Sequence, residues 1–235
     1  MPPSEQTDAP ALAVRGLRFR YPGAALDLLN IPDLRLNSAE QALLTGGSGV
    51  GKSTLLQIIA GLIEPTAGTV TVAGRDVHAM PPGARDTFRG RHVGMIFQTF
   101  HLLAGFSALE NVMLALMFSD LPRREHRERG RSLLSALGLG EREMSAEPDE
   151  LSVGQQQRVA VARALACRPA LVLADEPTAS LDPANTGAAM DLIQRACRDE
   201  RAALLCVSHD PAMAARFGRV VPLHAAAPTG IGAGA

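Results

Sequence analysis

The chain has 235 residues, which is enough for one large α/β domain and too few for two. Hydrophobic residues make up 46% and charged residues 20%, and these proportions exclude general disorder. The formal net charge is -1, from 23 Lys and Arg against 24 Asp and Glu. Nucleic-acid binding proteins usually carry a basic excess, so we expect no nucleic-acid partner.

The two ends of the chain are expected to lie outside the folded domain. Residues 1–10 are polar and contain proline, which predicts disorder, and 226–235 are predicted to be a flexible tail of small residues. The start lacks the basic stretch and apolar run of a signal peptide. The longest strongly apolar run, 112–118, is far shorter than the roughly 20 residues that span a bilayer. Residues 11–225 are therefore predicted to form one domain that does not itself cross a membrane.

Short apolar runs alternate with longer helical patterns, and this order predicts a parallel sheet with crossover helices. The predicted strands are 11–19, 33–36, 41–45, 68–74, 92–97, 170–175, 202–208 and 219–223. Alternating apolar and polar residues in 11–19 and 68–74 predict a half-exposed antiparallel sheet. The unbroken apolar runs 171–174 and 203–207 predict strands that are buried on both faces.

Residues 99–167 contain no convincing strand and are predicted to form a helical subdomain inserted in the sheet core. Ser107 can cap a helix through ALENVMLALMF, and Ser152 can cap a second helix that contains QRVAVARAL. The charged run 123–129 is expected to be a solvated helix face.

The three cysteines are odd in number and lack the paired spacing of a disulfide framework or a zinc site. Cys167, Cys197 and Cys206 all sit among apolar neighbours. We therefore expect them to be small buried residues in a reducing compartment.

A phosphate-binding motif follows the predicted strand 41–45. The sequence GGSGVGKST matches G-x-x-x-x-G-K-[ST] and runs into a helical pattern. Its glycines allow backbone N–H groups to surround phosphate oxygens, and the helix N-terminus adds its positive dipole. Lys52 is expected to meet the β- and γ-phosphates, and the Ser53 hydroxyl to bind Mg²⁺. The predicted contact residues are Gly46, Gly47, Ser48, Gly49, Val50, Gly51, Lys52, Ser53 and Thr54. A plain glycine turn between strand and helix is the weaker alternative.

Two adjacent acids end the predicted strand 170–175, on the phosphate side of the sheet. Asp175 is expected to hold Mg²⁺ through water, and Glu176 to polarise the water that attacks the γ-phosphate. Two acids at a strand end can also cap a helix, but their combination with a P-loop favours ATP hydrolysis.

The segment 151–165, LSVGQQQRVAVARAL, resembles the signature motif of the ABC family, usually LSGGQ, and the helix that follows it. The resemblance implies that Ser152, Gly154 and Gln155 approach the γ-phosphate of an ATP bound to the P-loop of a second subunit. It thus implies a head-to-tail homodimer with two ATP molecules between the subunits. Val153 replaces the usual first glycine of the motif, which lowers local backbone freedom, but we expect activity to survive.

Four further residues match family elements in the expected order. The resemblance implies that Tyr21 in FRYPG stacks on adenine and that Asp182 in SLDP crosses the dimer interface. It implies that Gln98 in MIFQ senses Mg²⁺ and the membrane partner, and that His209 in CVSHD contacts the γ-phosphate. Each alone is more simply a packing, surface or loop residue, but together they favour the family. The predicted catalytic residues are Lys52, Gln98, Glu176 and His209, and the predicted metal ligands are Ser53, Gln98 and Asp175.

The family resemblance spans residues 11–223 and implies a P-loop NTPase (RecA-like) α/β fold with a mainly parallel sheet, an antiparallel β subdomain and the helical insertion. The implied function is ATP hydrolysis that drives a separate integral membrane permease, from the cytoplasmic face of the inner membrane. Residues 101–103 and 108–112 resemble the lipoprotein-release and macrolide-export branch, which implies export or extraction of lipoprotein or lipid. The cargo itself is not encoded in this chain.

Several other functions are weighed against this one. An importer ATPase stays open, as does a non-transport ABC ATPase that works on ribosomes or DNA, although the expected heptad-rich insertion between Gly51 and Ser152 is absent. A P-loop kinase or GTPase explains Lys52 but not LSVGQ or His209. A non-catalytic nucleotide-binding module would lack Glu176 or His209, and both are present.

An apolar stretch follows Gln98, where the family resemblance places the contact with the permease. Its large apolar residues are Phe100, Leu102, Leu103, Phe106 and Leu109, and no charge occurs before Glu110. We expect about half of them to pack the helical subdomain onto the core, and the rest to form a docking surface for a short permease helix.

Overall fold

The computed structural model describes residues 9–224. The predicted tail 226–235 lies outside the described residues, as does nearly all of the predicted disordered start 1–10. Within the described part, no helix combines the length and apolar character needed to cross a membrane.

Two sheets make up the strand layer of residues 9–224. The antiparallel sheet has the order β2-β1-β4-β5 and the parallel sheet the order β6-β7-β8-β3-β9. The strands are β1 (Leu12–Phe19), β2 (Leu29–Leu36), β3 (Gln41–Thr45), β4 (Ala67–Val72), β5 (Arg75–Asp76), β6 (Val93–Phe97), β7 (Leu171–Asp175), β8 (Ala203–Val207) and β9 (Val220–Pro222). This arrangement confirms the predicted α/β class with a parallel core and an antiparallel subdomain.

The antiparallel sheet is buried on one face only, as the alternating pattern predicts. Strand β1 pairs antiparallel with both β2 and β4, and its apolar residues enter the same core as those of the first helix. Strand β2 begins at Leu29, four residues before the predicted start, and continues through Pro32. Because β2 is an edge strand, the missing N–H of Pro32 breaks no ladder, so proline is tolerated here.

The parallel sheet lies between two apolar layers. Along β7, Val172 and Ala174 belong to one core, whereas Leu171 and Leu173 belong to the other. Strand β8 is buried at every position. The prediction that both strands are buried on both faces is confirmed, and their register aligns the carboxyl ends of β6, β7 and β8.

Seven α-helices surround the sheets within residues 9–224. They are α1 (Lys52–Ile59), α2 (Pro82–His92), α3 (Ala108–Leu116), α4 (Arg123–Ala136), α5 (Glu141–Ser145), α6 (Val153–Leu165) and α7 (Pro183–Asp199), with short 3-10 helices at Pro148–Glu150 and Pro211–Arg216. Helices α3 to α6 lie between β6 and β7, and residues 100–167 contain no strand, as predicted. Ser107 and Ser152 both form the predicted N-caps, each as a capping box.

The charged run in α4 differs in part from the predicted solvated face. His126 is buried, and Arg129 donates hydrogen bonds to the carbonyls of Leu165 (3.1 Å) and Ala166 (3.3 Å) and to Glu200 (2.8 Å). The helical period turns every third or fourth residue of the run toward the core, so these two side chains point inward.

The cysteines are free thiols in apolar surroundings. Cys197 and Cys206 are buried as expected, and burial raises the pKa of Cys197 to about 12. Cys167 is only half-buried, and its thiol donates to the carbonyl of Ala115; burial raises its pKa to about 11. All three therefore stay protonated near neutral pH.

Candidate active site

The glycine-rich loop joins the carboxyl end of β3 to the start of α1. Gly51 is the N-cap of α1 at φ 98°, and a Cβ on it would lie 2.7 Å from the side chain of Leu29. A Cβ on Gly46 would lie 2.6 Å from the carbonyl oxygen of Leu223. The loop therefore needs glycine at both ends, once for the left-handed backbone and once for close packing. This conformation directs the open N-terminus of α1 toward the loop, which suits a phosphate.

Lys52 lies back across the loop that precedes it. Its Nζ donates to the carbonyls of Gly46 and Gly47, both at 2.8 Å. Next to it, the hydroxyls of Tyr21 and Thr54 lie 3.1 Å apart, which places the half-exposed tyrosine ring beside the loop. The structure therefore brings the predicted phosphate cation and the predicted adenine-stacking residue to the same loop.

Asp175 ends β7 beside the same loop. Burial raises the pKa of Asp175, and the neighbouring Glu176 adds to the increase. A hydrogen bond from the Ser53 hydroxyl and the charge of Lys52 lower the pKa in part. Two of the three predicted metal ligands, Ser53 and Asp175, thus lie next to each other.

Glu176 has a left-handed backbone, at φ 48°, although it carries a side chain. Such a conformation costs about 1–2 kcal/mol, so the surrounding structure must impose it. The Glu176 amide donates to the carbonyl of Val207 (3.1 Å), which ties this residue to β8. Its carboxylate Oε1 lies 2.8 Å from Nδ1 of His209, and the side chain of His209 is 72% exposed against 17% for Glu176. A protonated Nδ1 therefore holds the carboxylate while the rest of the ring faces solvent.

Gln98 is the first residue after β6, whose last residue, Phe97, pairs with Asp175. Its side chain is exposed, and its backbone carbonyl accepts a hydrogen bond from the Ser180 hydroxyl at 2.9 Å. Ser180 belongs to the SLDP segment, in which the exposed Asp182 is the N-cap of α7. The segments that carry Gln98 and Asp182 are therefore joined by this hydrogen bond.

The signature residues occupy a different surface from the P-loop. The Ser152 hydroxyl accepts from the Gln155 amide (3.3 Å), and the Gln155 side chain accepts from the Ser152 amide (2.8 Å). Ser152 and Gly154 are exposed and line a groove together with the D-loop, residues 180–182, and with no P-loop residue. Val153 is the first residue of α6, is 47% exposed and has no left-handed φ. A glycine is therefore not required at this position.

The apolar stretch after Gln98 divides as predicted. Phe100 and Leu109 are buried, and Leu102 is partly buried against the core of the helical subdomain. In contrast, Leu103 is 50% exposed and Phe106 is 41% exposed. His101, which precedes both of them, lines a groove between α2, α3 and α6.

The comparisons with known proteins agree with this geometry. Residues 29–179 match the sequence profile of the family described as "ABC transporter". The chain belongs to the ABC transporter family. A lipoprotein-releasing system ATP-binding protein of Caulobacter vibrioides, LolD 2, is 46% identical over 217 residues, which cover 91% of this chain and 94% of that protein.

Two further comparisons extend the result. The macrolide export ATP-binding/permease protein MacB of Salmonella typhimurium is 40% identical over 206 residues, which cover 87% of this chain and 32% of that longer protein. The dimeric ATP-binding cassette MJ0796, solved in a post-hydrolysis state with ADP and Pi, is 33% identical with a TM-score of 0.78, over 90% of this chain and 94% of that chain. As a member of the ABC transporter family, this chain is an ATP-binding subunit that hydrolyses ATP.

The donor set at the end of β7 fits the Mg²⁺ that accompanies ATP in this type of site. Ser53 and Asp175 supply a neighbouring hydroxyl and carboxylate, and both are hard oxygen ligands. Within residues 9–224, no group of three or more His, Cys, Asp or Glu side chains is placed to hold a metal by itself. Mg²⁺ is usually held by one or two protein ligands together with phosphate oxygens and water, and Ser53 and Asp175 can supply the protein ligands.

Two residues of this ABC subunit were missed by the sequence analysis. Asn111 is buried in α3 and binds the backbone of Leu103 and Phe106. Arg163 in α6 binds the carbonyls of Phe100 and His101. Asn111 interrupts the apolar pattern of α3, and this polar residue is the signal that the sequence offers. Its hydrogen-bond partners become visible only in the folded structure.

Proposed function

We propose that two copies of this chain bind two ATP–Mg²⁺ between them and, by closing and hydrolysing, drive a separate membrane permease of the lipoprotein-release type. The observation that carries the proposal is the separation of two half-sites on one chain. Lys52, Asp175 and Glu176 meet at the carboxyl end of the parallel sheet, whereas Ser152 lines another groove. Each half-site is completed only by a second copy.

In the proposed site, Lys52 leaves the two loop carbonyls and meets the β- and γ-phosphates. The loop amides and the start of α1 surround the phosphates, and Tyr21 stacks on the adenine. Ser53, Gln98 and a water on Asp175 would hold Mg²⁺. The ion would neutralise charge on the phosphate oxygens.

Glu176 is proposed to orient the water that attacks the γ-phosphate. Its backbone strain and its bond to His209 hold the carboxylate in one position before the nucleotide arrives. His209 is exposed enough to turn toward the γ-phosphate while it stays near Glu176. Fixing both groups in advance lowers the cost of orienting the water.

The exposed start of α6 is proposed to close on the γ-phosphate of the other copy. Ser152 supplies a hydroxyl and α6 supplies its positive dipole end, which both favour an anion. Gly154 has no heavy atom within 4 Å of where a Cβ would stand, so a phosphate can approach its backbone. Asp182 lies on the same face and is proposed to cross the interface.

The permease is proposed to dock against residues 98–106, which we name the docking segment. Leu103 and Phe106 expose large apolar surfaces there, and His101 of the same segment lines a groove of about 350 Å³ between α2, α3 and α6. An amphipathic helix of the permease can place its apolar face in such a groove. The chain would then sit at the cytoplasmic face of the inner membrane through this contact.

The lipoprotein-release type is proposed because the lipoprotein-releasing relative from Caulobacter vibrioides is 46% identical, against 40% for MacB of Salmonella typhimurium. The permease that co-purifies with this chain identifies the cargo class. A permease of another class would overturn this finer assignment and leave the ATPase assignment unaffected.

A mixture of two inactive variants tests the shared site. Ser152→Arg and Lys52→Ala each remove one half of both sites in their own dimers, so neither variant should hydrolyse ATP. A mixed dimer contains one intact site, formed by Lys52 of the first copy and Ser152 of the second. ATPase activity that appears only on mixing supports the proposal, and activity that stays at zero with both proteins folded contradicts it.

A further inference from the structure

The docking segment is fastened to the helical subdomain by one arginine. Arg163, in the last turn of α6, donates from Nη1 to the carbonyl of His101 and from Nη2 to the carbonyl of Phe100, both at 2.6 Å. The two amino groups of one planar guanidinium therefore hold two successive carbonyls. A contact of this kind fixes the direction of the backbone as well as its position.

The backbone is bent to make this contact. His101 has a left-handed φ of 49°, which is unfavourable for a residue with a side chain and turns its carbonyl toward the same side as that of Phe100. The His101 ring is held by the Thr99 hydroxyl (3.0 Å) and by an edge contact with Phe97 (4.9 Å between centroids). The segment thus keeps a strained turn whose carbonyls Arg163 binds.

A partly buried arginine is an expensive way to pack this position. Burial lowers the pKa of Arg163, and its hydrogen-bond partners are two neutral carbonyls. The negative end of the α6 dipole offsets part of the cost. An apolar side chain of similar volume would often stabilise such a site better, so stability alone does not account for an arginine here.

Helix α6 connects this contact to the signature residues. It is capped by Ser152 at its start and carries Arg163 in its last turn, ten residues after Val153, or about 15 Å along the axis. Val159, Val161 and other residues of its middle are buried, so the helix moves as one body. A displacement of the docking segment is therefore passed to the Ser152 end without an intervening loop.

We propose that Arg163 is a positioning residue that couples permease docking to the signature end of α6, and that stimulation of ATP hydrolysis by the permease requires it. The inference rests on the docking assigned to residues 98–106 above. Arg163 touches neither ATP nor the attacking water in this scheme, so basal hydrolysis does not need its charge.

The first experiment measures the contact itself, without a permease. Arg163→Met should speed chymotrypsin cleavage within residues 98–106 by about tenfold or more, because the segment opens locally when its two carbonyls lose their donor. Arg158→Met is the matched control, since Arg158 lies on the same helix and donates to the carbonyls of Leu137 and Gly138 instead. An unchanged cleavage rate in Arg163→Met, with both variants folded by circular dichroism, overturns the inference.

The second experiment compares ATPase rates with and without the reconstituted permease. Arg163→Met should keep its basal rate within about twofold of the wild type and lose most of the stimulation. Arg163→Lys should restore part of the stimulation, since an ammonium group keeps the charge but lacks the planar fork. If Arg163→Met does not fold, the Lys variant carries the test, and full stimulation in it overturns the requirement for the fork.

Two outcomes separate this inference from the docking proposal. Normal stimulation in Arg163→Met together with lost stimulation in Leu103→Asp overturns the role of Arg163 and supports docking at the segment. Normal stimulation in both variants overturns docking at the segment, and the inference with it.

Discussion

The carboxyl end of the parallel sheet and the exposed face of the helical subdomain present their functional residues in different ways. At the sheet, Lys52 donates to the loop carbonyls of Gly46 and Gly47, and Asp175 is influenced by burial, by the Ser53 hydroxyl and by the charges of Lys52 and Glu176. On the subdomain, Ser152, Val153 and Gly154 stand at the open start of a helix, exposed to solvent.

This difference agrees with the work proposed for each region. Hydrolysis needs groups held in advance, so the sheet end carries strain and close packing. Closure requires a surface that is exposed until a partner binds. The subdomain accordingly carries exposed hydrogen-bond donors and exposed apolar side chains. Substitutions at the sheet end should therefore lower ATPase activity strongly. A substitution at Val153, where the signature motif departs from the family, should change it only slightly.

The largest effect is expected for Glu176→Gln at the sheet end. The amide keeps the shape but cannot accept the proton of the water, so hydrolysis should fall by about 10²–10³-fold while ATP still binds. Size-exclusion chromatography with ATP should then show a dimer for the variant and mostly monomer for the wild type. Hydrolysis at the wild-type rate would remove Glu176 from the mechanism.

A smaller loss is expected for Gly51→Ala, which tests how rigid the sheet end is. The added Cβ would lie 2.7 Å from Leu29 at a left-handed φ, so the loop must shift and ATP binding and hydrolysis should fall by about tenfold or more. Gly16→Ala is the control, since Gly16 also has a positive φ but no atom within 4 Å of the added Cβ. Equal activity of the two variants would contradict the tight packing of the loop.

The next effect appears only with the permease. Leu103→Asp places a charge on the exposed part of the docking segment, so stimulated ATPase activity should fall about fivefold or more while the basal rate stays within about twofold. Leu62→Asp is the matched control, because Leu62 is 52% exposed, as Leu103 is 50% exposed, but follows α1 instead. Equal loss of both rates in Leu103→Asp would identify the residue as ordinary core.

Elements with continuous burial were predictable from the sequence. Strands β7 and β8 are uninterrupted apolar runs, and the P-loop combines glycine geometry with a following helix, so local pattern and tertiary structure agree. Helix α2 was not predicted because only Phe88 of its residues is buried, which leaves no apolar period to detect. Helix α7 was also missed, although Met190, Ile193 and Cys197 give it an apolar face.

The contacts that organise the site could not be predicted from the sequence, because they join residues that are far apart in the chain. His209 and Glu176 lie 33 residues apart, and Arg163 lies more than 60 residues from the carbonyls that it binds. Motif order predicts that such residues share a site, but it does not give the partner of each atom. The bond of His209 to Glu176, and the divided roles of the apolar residues after Gln98, required the folded chain.

The smallest effect is expected for Val153→Gly, which restores the usual glycine of the signature motif. Val153 has helical backbone geometry and a half-exposed side chain, so the position neither needs a left-handed φ nor packs the valine into a core. Glycine loosens the first turn of α6 by about 0.5–1 kcal/mol but leaves the Ser152 cap in place. ATPase activity should therefore change by less than about threefold, and the melting temperature should fall slightly.

A Val153→Arg variant is the counterpart, because a bulky charge at the start of α6 should block closure of the dimer and abolish hydrolysis. A large gain of activity in Val153→Gly would show that the valine restrains the site, and the signature surface would then be as tightly constrained as the sheet end.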